Sequence, residues 1–231
     1  MKVIGVLGGM SDQATVEYYR LMNDLVRQRL GGSHTAEVVI NSVDFGIIER
    51  CIREGSWEEA GVYLSAKAEA LERAGAELLV CASNTMHRVA DAFTSKLTIP
   101  FLHIADPTGE AIRASGLKKI GLLGTKSVMS AEHLKRRFVE RFDLEILTPR
   151  EEDQLIVDRV IFDELVRHVL KPESKANYLR IIEGLRMRGA EGVILGCTEI
   201  CLLVGESDTP GFPLFDTASL HVRGALAWAF A

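Results

Sequence analysis

Ser83 and Cys197 occupy the same place in two copies of one short pattern. The stretch Cys81-Ala-Ser-Asn-Thr-Met-His87 follows the apolar run 78–80, and Leu195-Gly-Cys-Thr-Glu-Ile200 follows 193–195. Each run is preceded by Gly-Ala-Glu, at 75–77 and at 189–191. A shift of 114 positions lays Glu77 on Glu191, Ser83 on Cys197 and Asn84 on Thr198. A hydroxyl and a thiol therefore sit at equivalent strand-to-helix turns. A site between two such copies would have two reactive groups facing each other, a geometry for chemistry on both faces of one carbon. A thiol titrates at about 8.5 and can be lowered by a helix N-terminus. A serine hydroxyl is far harder to ionise.

Placing these residues requires strands that end where they begin. Apolar and β-branched runs predict strands at 2–7, 37–43, 77–82, 99–104, 119–124, 144–147 and 192–195. Helical spacing predicts helices from Ser11 or Asp12 to about 30, and at 58–74, 107–115, 130–142, 153–169, 174–188 and 218–230. A further helix starts near Asn84, and a polar loop surrounds Asp44 and Phe45. Lys119-Ile-Gly-Leu-Leu-Gly124 repeats the spacing of Val3-Ile-Gly-Val-Leu-Gly8. Strands alternating with helices, together with this repeat, imply an α/β protein of two pseudo-symmetric lobes. Each lobe would hold a mainly parallel sheet flanked by helices, over 1–115 and 116–215, with the helix of 216–231 crossing back to the first. In parallel sheets ligands bind beyond the carboxyl ends of the strands. Gly8-Gly9, Ser83, Thr125 and Cys197 fall at such ends and are expected to converge on the cleft between the lobes.

The composition removes several classes of function. Over 231 residues, 47% are hydrophobic and 26% charged, which is ordinary for a globular protein. A net charge of −5 argues against nucleic acid as the main partner. No apolar run approaches the roughly 18 residues of a membrane span, and the first residues lack a signal-peptide pattern. Cys51, Cys81, Cys197 and Cys201 form no CxxC pair and no disulfide framework, which points to a reducing, cytoplasmic compartment. Of these, Cys51 and Cys201 read as structural, and Cys81 as pointing along its strand into packing. No His or further Cys stands at ligand spacing from Cys197 and Cys201, so no metal is expected. Gly5-x-x-Gly8-Gly9 lacks the dinucleotide spacing and there is no phosphate loop, so no nucleotide cofactor is expected. These glycines would instead let the backbone approach a small anion. His87 reads either as an exposed first-turn histidine or as part of the site, and Asp106 and Asp216 as caps or loop ties.

Taken together, Val3-Ile-Gly-Val-Leu-Gly-Gly-Met-Ser11, Ser83-Asn-Thr-Met-His87, Leu102-His-Ile-Ala-Asp106, Gly196-Cys-Thr-Glu199 and Phe215-Asp-Thr217 resemble the aspartate/glutamate racemase family across the whole chain. The resemblance implies two α/β lobes, an acidic amino acid as substrate, no pyridoxal phosphate, no metal and a homodimer. It implies Cys197 and Ser83 as the catalytic pair, with Cys197 the base toward the L-isomer. It also places Gly9, Met10, Ser11, Asn84, Thr85, Thr125, Thr198 and Glu199 around the substrate. Three departures stand out. Many members carry cysteine where this chain has Ser83, and some carry threonine. The first loop reads Ser11-Asp-Gln-Ala-Thr15 where near relatives have Trp-Glu-Ser-Thr after the serine. Aspartate-specific members bind the side-chain carboxylate with an arginine, for which Arg50 and Arg53 are candidates, and a lysine, where this chain has Val166 beside Arg167. A single motif cysteine also suits a lyase of the arylmalonate-decarboxylase type, and loss of the first cysteine suits a catalytically silent binding protein.

Overall fold

A computed structural model describes residues 1–130 and 132–231. Its first sheet holds β1 (Ile4–Gly8), β2 (Val38–Ser42), β3 (Leu78–Cys81) and β4 (Phe101–Leu102), and its second holds β5 (Lys119–Leu123), β6 (Glu145–Leu147), β7 (Gly192–Leu195) and β8 (Leu214–Asp216). Every pairing is parallel, in the orders β2-β1-β3-β4 and β6-β5-β7-β8. The inner strands β1, β3 and β7 are buried along their whole length, which is why their sequences run apolar without alternation.

The chain divides into two compact units, 1–104 with 221–231, and 105–220. In the first, α1 (Asp12–Leu30), α2 (Phe45–Glu54), α3 (Trp57–Arg73) and α4 (Ala90–Thr94) connect the strands. In the second the helices are α5 (Ala105–Ala114), α6 (Lys126–Ser130), α7 (Glu132–Phe142), α8 (Glu151–Asp163), α9 (Pro172–Met187) and α10 (Ile200–Leu203). The last helix, α11 (Thr217–Phe230), begins in the second unit and ends in the first, where the Lys2 N–H donates to the Ala229 carbonyl at 2.9 Å. The division falls before α5 because that helix is tied to α7: Asp106 holds Arg137 and Arg141, and the Phe142 ring lies where a side chain on Gly109 would be.

The helices α2 and α8 depart from the sequence expectation. The polar loop at Asp44 and Phe45 opens α2, whose start Asp44 caps by accepting the Gly46 N–H at 2.9 Å. Ile48 and Cys51 of that helix join a core with Leu7, Leu64, Leu71, Leu79 and Phe93. The helix expected at 153–169 begins at Glu151 and ends at Asp163, followed by a 3₁₀ turn, Leu165–Arg167. Of the helix expected at 130–142, every described residue is helical, Ser130 at the end of α6 and 132–142 as α7, and residue 131 lies outside the described residues. The second core gathers Val157, Ile161, Tyr178, Ile182, Leu185 and Val193. Each fully buried aliphatic side chain contributes roughly 1.5–3 kcal/mol. No helix among the described residues is long and apolar enough to cross a membrane.

The repeated Gly-Ala-Glu has a structural reason. Gly75 and Gly189 adopt φ of 95° and 93° just beyond α3 and α9, a conformation that costs other residues energy. Glu77 then accepts the Val3 N–H at 2.8 Å, and Glu191 accepts those of Lys118 and Lys119 at 2.7 and 2.9 Å. Each glutamate thus closes the open start of the neighbouring strand. Those backbone donors hold the Glu191 carboxyl below its ordinary pKa. A depressed folded pKa stabilises the fold above the unfolded pKa, and that stability is lost as pH falls through the folded value. Glu191→Gln is therefore expected to lower Tm at neutral pH, with the gap closing as acid protonates the wild-type carboxyl. Thermal melts across pH 2–7 would check this.

Candidate active site

In the first unit β1 and β3 lie side by side, with Leu7 paired to Cys81. The chain leaves β1 toward β2 on one side and returns to β3 on the other, so the strand order reverses between them, as at ligand sites of open α/β sheets. The Ala82 N–H donates to the Leu7 carbonyl at 3.0 Å, which carries the ladder past the end of β3. Gly9 follows β1 with φ 85°, and a β-carbon there would run into the Val43 backbone. Its N–H donates to Thr15 Oγ1 at 2.7 Å. Met10 and Ser11 are buried beside it, and Ser11 caps α1 by accepting the Ala14 N–H at 3.2 Å.

Ser83 is buried at the end of β3, where its Oγ accepts the Met86 N–H at 3.4 Å and keeps its own proton to donate. Asn84 and Thr85 are buried next to it, where a 3₁₀ turn, Thr85–Val89, stands before α4 in place of the single helix expected. Cys81 is fully buried, and burial pushes its thiol up to about 12, so it packs as expected and is a poor source of thiolate. His87 is not an exposed first-turn residue. It is buried, with Nδ1 2.7 Å from the Ser83 carbonyl oxygen and Nε2 accepting the Ile104 N–H at 3.0 Å.

The second unit repeats the arrangement with different chemistry. Leu123 pairs with Leu195, and the Gly196 N–H donates to the Leu123 carbonyl at 2.6 Å. A β-carbon on Gly196 would stand 2.7 Å from that carbonyl oxygen, so the turn is built on glycine. Thr125 is buried at the end of β5, and its Oγ1 accepts the Val128 N–H at 3.3 Å. Cys197, half-buried, donates from Sγ to Glu199 Oε2 at 3.0 Å, and Thr198 Oγ1 donates to the same oxygen at 2.7 Å. Glu199 itself is only 4% exposed. Although part of Cys197 reaches the surface, protein packs densely around the thiol. Burial first, then the Glu199 charge, pushes its pKa well above the ordinary cysteine range.

This corrects the expectation that a helix N-terminus lowers it. The helix α10 has four residues and starts after Glu199, so the group facing the thiol is an anion and not a row of N–H donors. Glu199 is thus the acceptor of the Cys197 thiol, a role the sequence reading missed. Its only signal was an acidic residue two positions beyond the candidate nucleophile.

The remaining candidates are engaged in other contacts. Asp216 accepts the Ala218 N–H at 3.0 Å, as a cap does, whereas Asp106 is held by Arg137 and Arg141 at 2.6–2.9 Å. Arg50 pairs with Glu54 and Glu59, and Arg53 with Glu49, all on exposed parts of α2 and α3. Val166 packs against the second core and Arg167 closes the 3₁₀ turn. Among the described residues no three His, Cys, Asp or Glu side chains gather to hold a metal ion.

Comparison with known proteins gives the family and the fold. A family model described as Asp/Glu/Hydantoin racemase matches residues 7–225. A Yersinia pestis structure described as a candidate Asp/Glu racemase is 41% identical over the full length of both chains, with a TM-score of 0.92. An aspartate racemase homologue from Pyrococcus horikoshii OT3 is 34% identical, again over both full lengths, at a TM-score of 0.87. The aspartate racemase of Picrophilus torridus, 20% identical over 100% of this chain and 95% of its own, shares the fold at a TM-score of 0.79.

Alkylation requires the thiolate. Peptide-resolved iodoacetamide labelling of Cys197 is therefore expected to rise only at alkaline pH, and Glu199→Gln to move that rise to lower pH by removing the facing charge. A midpoint that stays put or moves up would contradict the assigned contact.

Proposed function

The chain belongs to the Asp/Glu/Hydantoin racemase family, and from that premise we propose that it is a cofactor-independent racemase interconverting L- and D-aspartate or L- and D-glutamate. The observation that carries the reading is the Cys197 thiol donating to the buried Glu199 carboxylate, at the position equivalent to Ser83. In this reading Glu199 orients the Cys197 sulfur through that bond. The thiolate form of Cys197, in surroundings that raise its pKa, is a strong base for the α-proton of the L-isomer. Ser83 stands at the other face and returns a proton from its hydroxyl. Gly9, Met10, Ser11, Asn84, Thr85, Thr125 and Thr198 supply backbone N–H groups, hydroxyls and an amide to the substrate carboxylates. The choice of an acidic amino acid follows the names of the similar structures.

The two faces then meet very different bases. Abstraction from the D-isomer requires an ionised serine, which raises that barrier, and about 1.36 kcal/mol is tenfold in rate. The enantiomers have equal free energy, so the equilibrium constant is unity whatever the bias. The bias instead appears as exchange back to the L-isomer outrunning net conversion. In D₂O, α-proton exchange is expected from L-aspartate or L-glutamate and much more slowly from the D-isomers, followed by NMR. Cys197→Ala abolishes exchange in a folded protein, and Ser83→Cys speeds exchange from the D-isomer most. Wild-type rates in Cys197→Ala would remove Cys197 from the mechanism, and equal exchange from both isomers in the wild type would require another base at the D-face.

A further inference from the structure

His87 is buried to 4% exposure and engages backbone on two sides. The Ile104 N–H can only donate, so Nε2 of His87 carries its lone pair there, at 3.0 Å. The ring proton of the neutral imidazole is then on Nδ1, where it meets the Ser83 carbonyl at 2.7 Å. The ring is walled by His103, Phe101 and His221, with centroids 4.4, 5.5 and 6.0 Å away, which fixes its plane. The Nδ1–H bond fixes the peptide plane that joins Ser83 to Asn84. That plane sets where the Ser83 hydroxyl points.

The second copy of the motif makes a different bond from the same place, to Thr198, the equivalent of Asn84 and not of Ser83. The shift that lays Ser83 on Cys197 lays His87 on Cys201. Cys201 donates from Sγ to the Thr198 carbonyl at 3.1 Å, also tying its turn back on itself. The histidine adds a reach that cysteine lacks, out to the backbone beyond β4.

We propose that His87 is a positioning residue for Ser83: its Nδ1–H holds the Ser83 carbonyl so that the hydroxyl is aimed at the substrate's D-face. The proposal rests on the racemase reading above. It divides the two half-reactions, because the Cys197 side does not use this contact. Two substitutions separate its two bonds. In His87→Asn the side-chain NH₂ can stand in for Nδ1–H and keep the Ser83 bond. In His87→Gln the amide oxygen can stand in for Nε2 and keep the Ile104 bond while losing that to Ser83.

The test measures deuterium exchange from each isomer in D₂O for wild type and both variants, with folding checked by circular dichroism. His87→Asn is expected to keep D-isomer exchange within about threefold of wild type. His87→Gln is expected to slow it by about tenfold or more, with L-isomer exchange nearly unchanged, since small misplacements of a reacting group cost rates of this order. Equal losses in the two variants, or parallel losses from both isomers, would overturn the proposal and leave His87 a packing residue. Long-range proton–nitrogen NMR on the wild type needs no variant to fold: the Nδ1–H tautomer at His87 supports the proposal and the Nε2–H tautomer overturns it. A wild type that exchanges neither isomer overturns the racemase reading, and this proposal with it.

Discussion

The hydrogen bond that continues each ladder one residue past its strand determines where the chemistry can be. Ala82 reaches back to Leu7 and Gly196 to Leu123, and in both cases the next residue is a member of the candidate pair, Ser83 or Cys197. The bond commits the turn to leave the sheet between its two central strands, where the order β2-β1-β3-β4 or β6-β5-β7-β8 reverses. Gly9 and Gly196 are needed at these places because a β-carbon would strike the adjoining backbone. Most of the motif residues follow from that constraint.

On this common frame the two units part chemically. Ser83 takes an N–H from Met86 and has the His87 imidazole behind its carbonyl. Cys197 donates a hydrogen bond to a carboxylate. In the first copy the position of Glu199 is held by Thr85, so no carboxylate faces Ser83 from that place. One copy therefore sets a thiol against a carboxylate, and the other a hydroxyl against a backbone N–H. Duplicating a fold fixes where two groups sit and leaves their protonation states to the residues immediately around them.

What could be read in the sequence followed the same division. Buried parallel strands are apolar throughout, and their glycine-ended turns repeat at a fixed shift, so the sheets and the equivalent strand-end places of Ser83 and Cys197 are legible in the sequence. The helix α2 was not, because its ten residues begin with Phe-Gly behind an aspartate, which resembles a loop until Ile48 and Cys51 are seen on one buried face. The direction of the Cys197 shift was hidden too. It depends on Glu199 folding back two residues and on how short α10 is, and neither leaves a periodic trace. The place of His87 required knowing that the backbone beyond β4 returns beside the turn after β3, a pairing set by the sheet.

The central claim is that two different groups, one from each copy of the motif, serve opposite faces of one α-carbon. The most direct measurement is the isotopic content of the first D-isomer formed from protiated L-substrate in D₂O, by chiral separation and mass spectrometry at a few per cent conversion. Two groups predict that the D-product carries solvent deuterium from the first turnover, since the proton taken by Cys197 cannot reach the Ser83 side. A D-product that retains the substrate's own α-proton would mean that one group serves both faces, and would contradict the account.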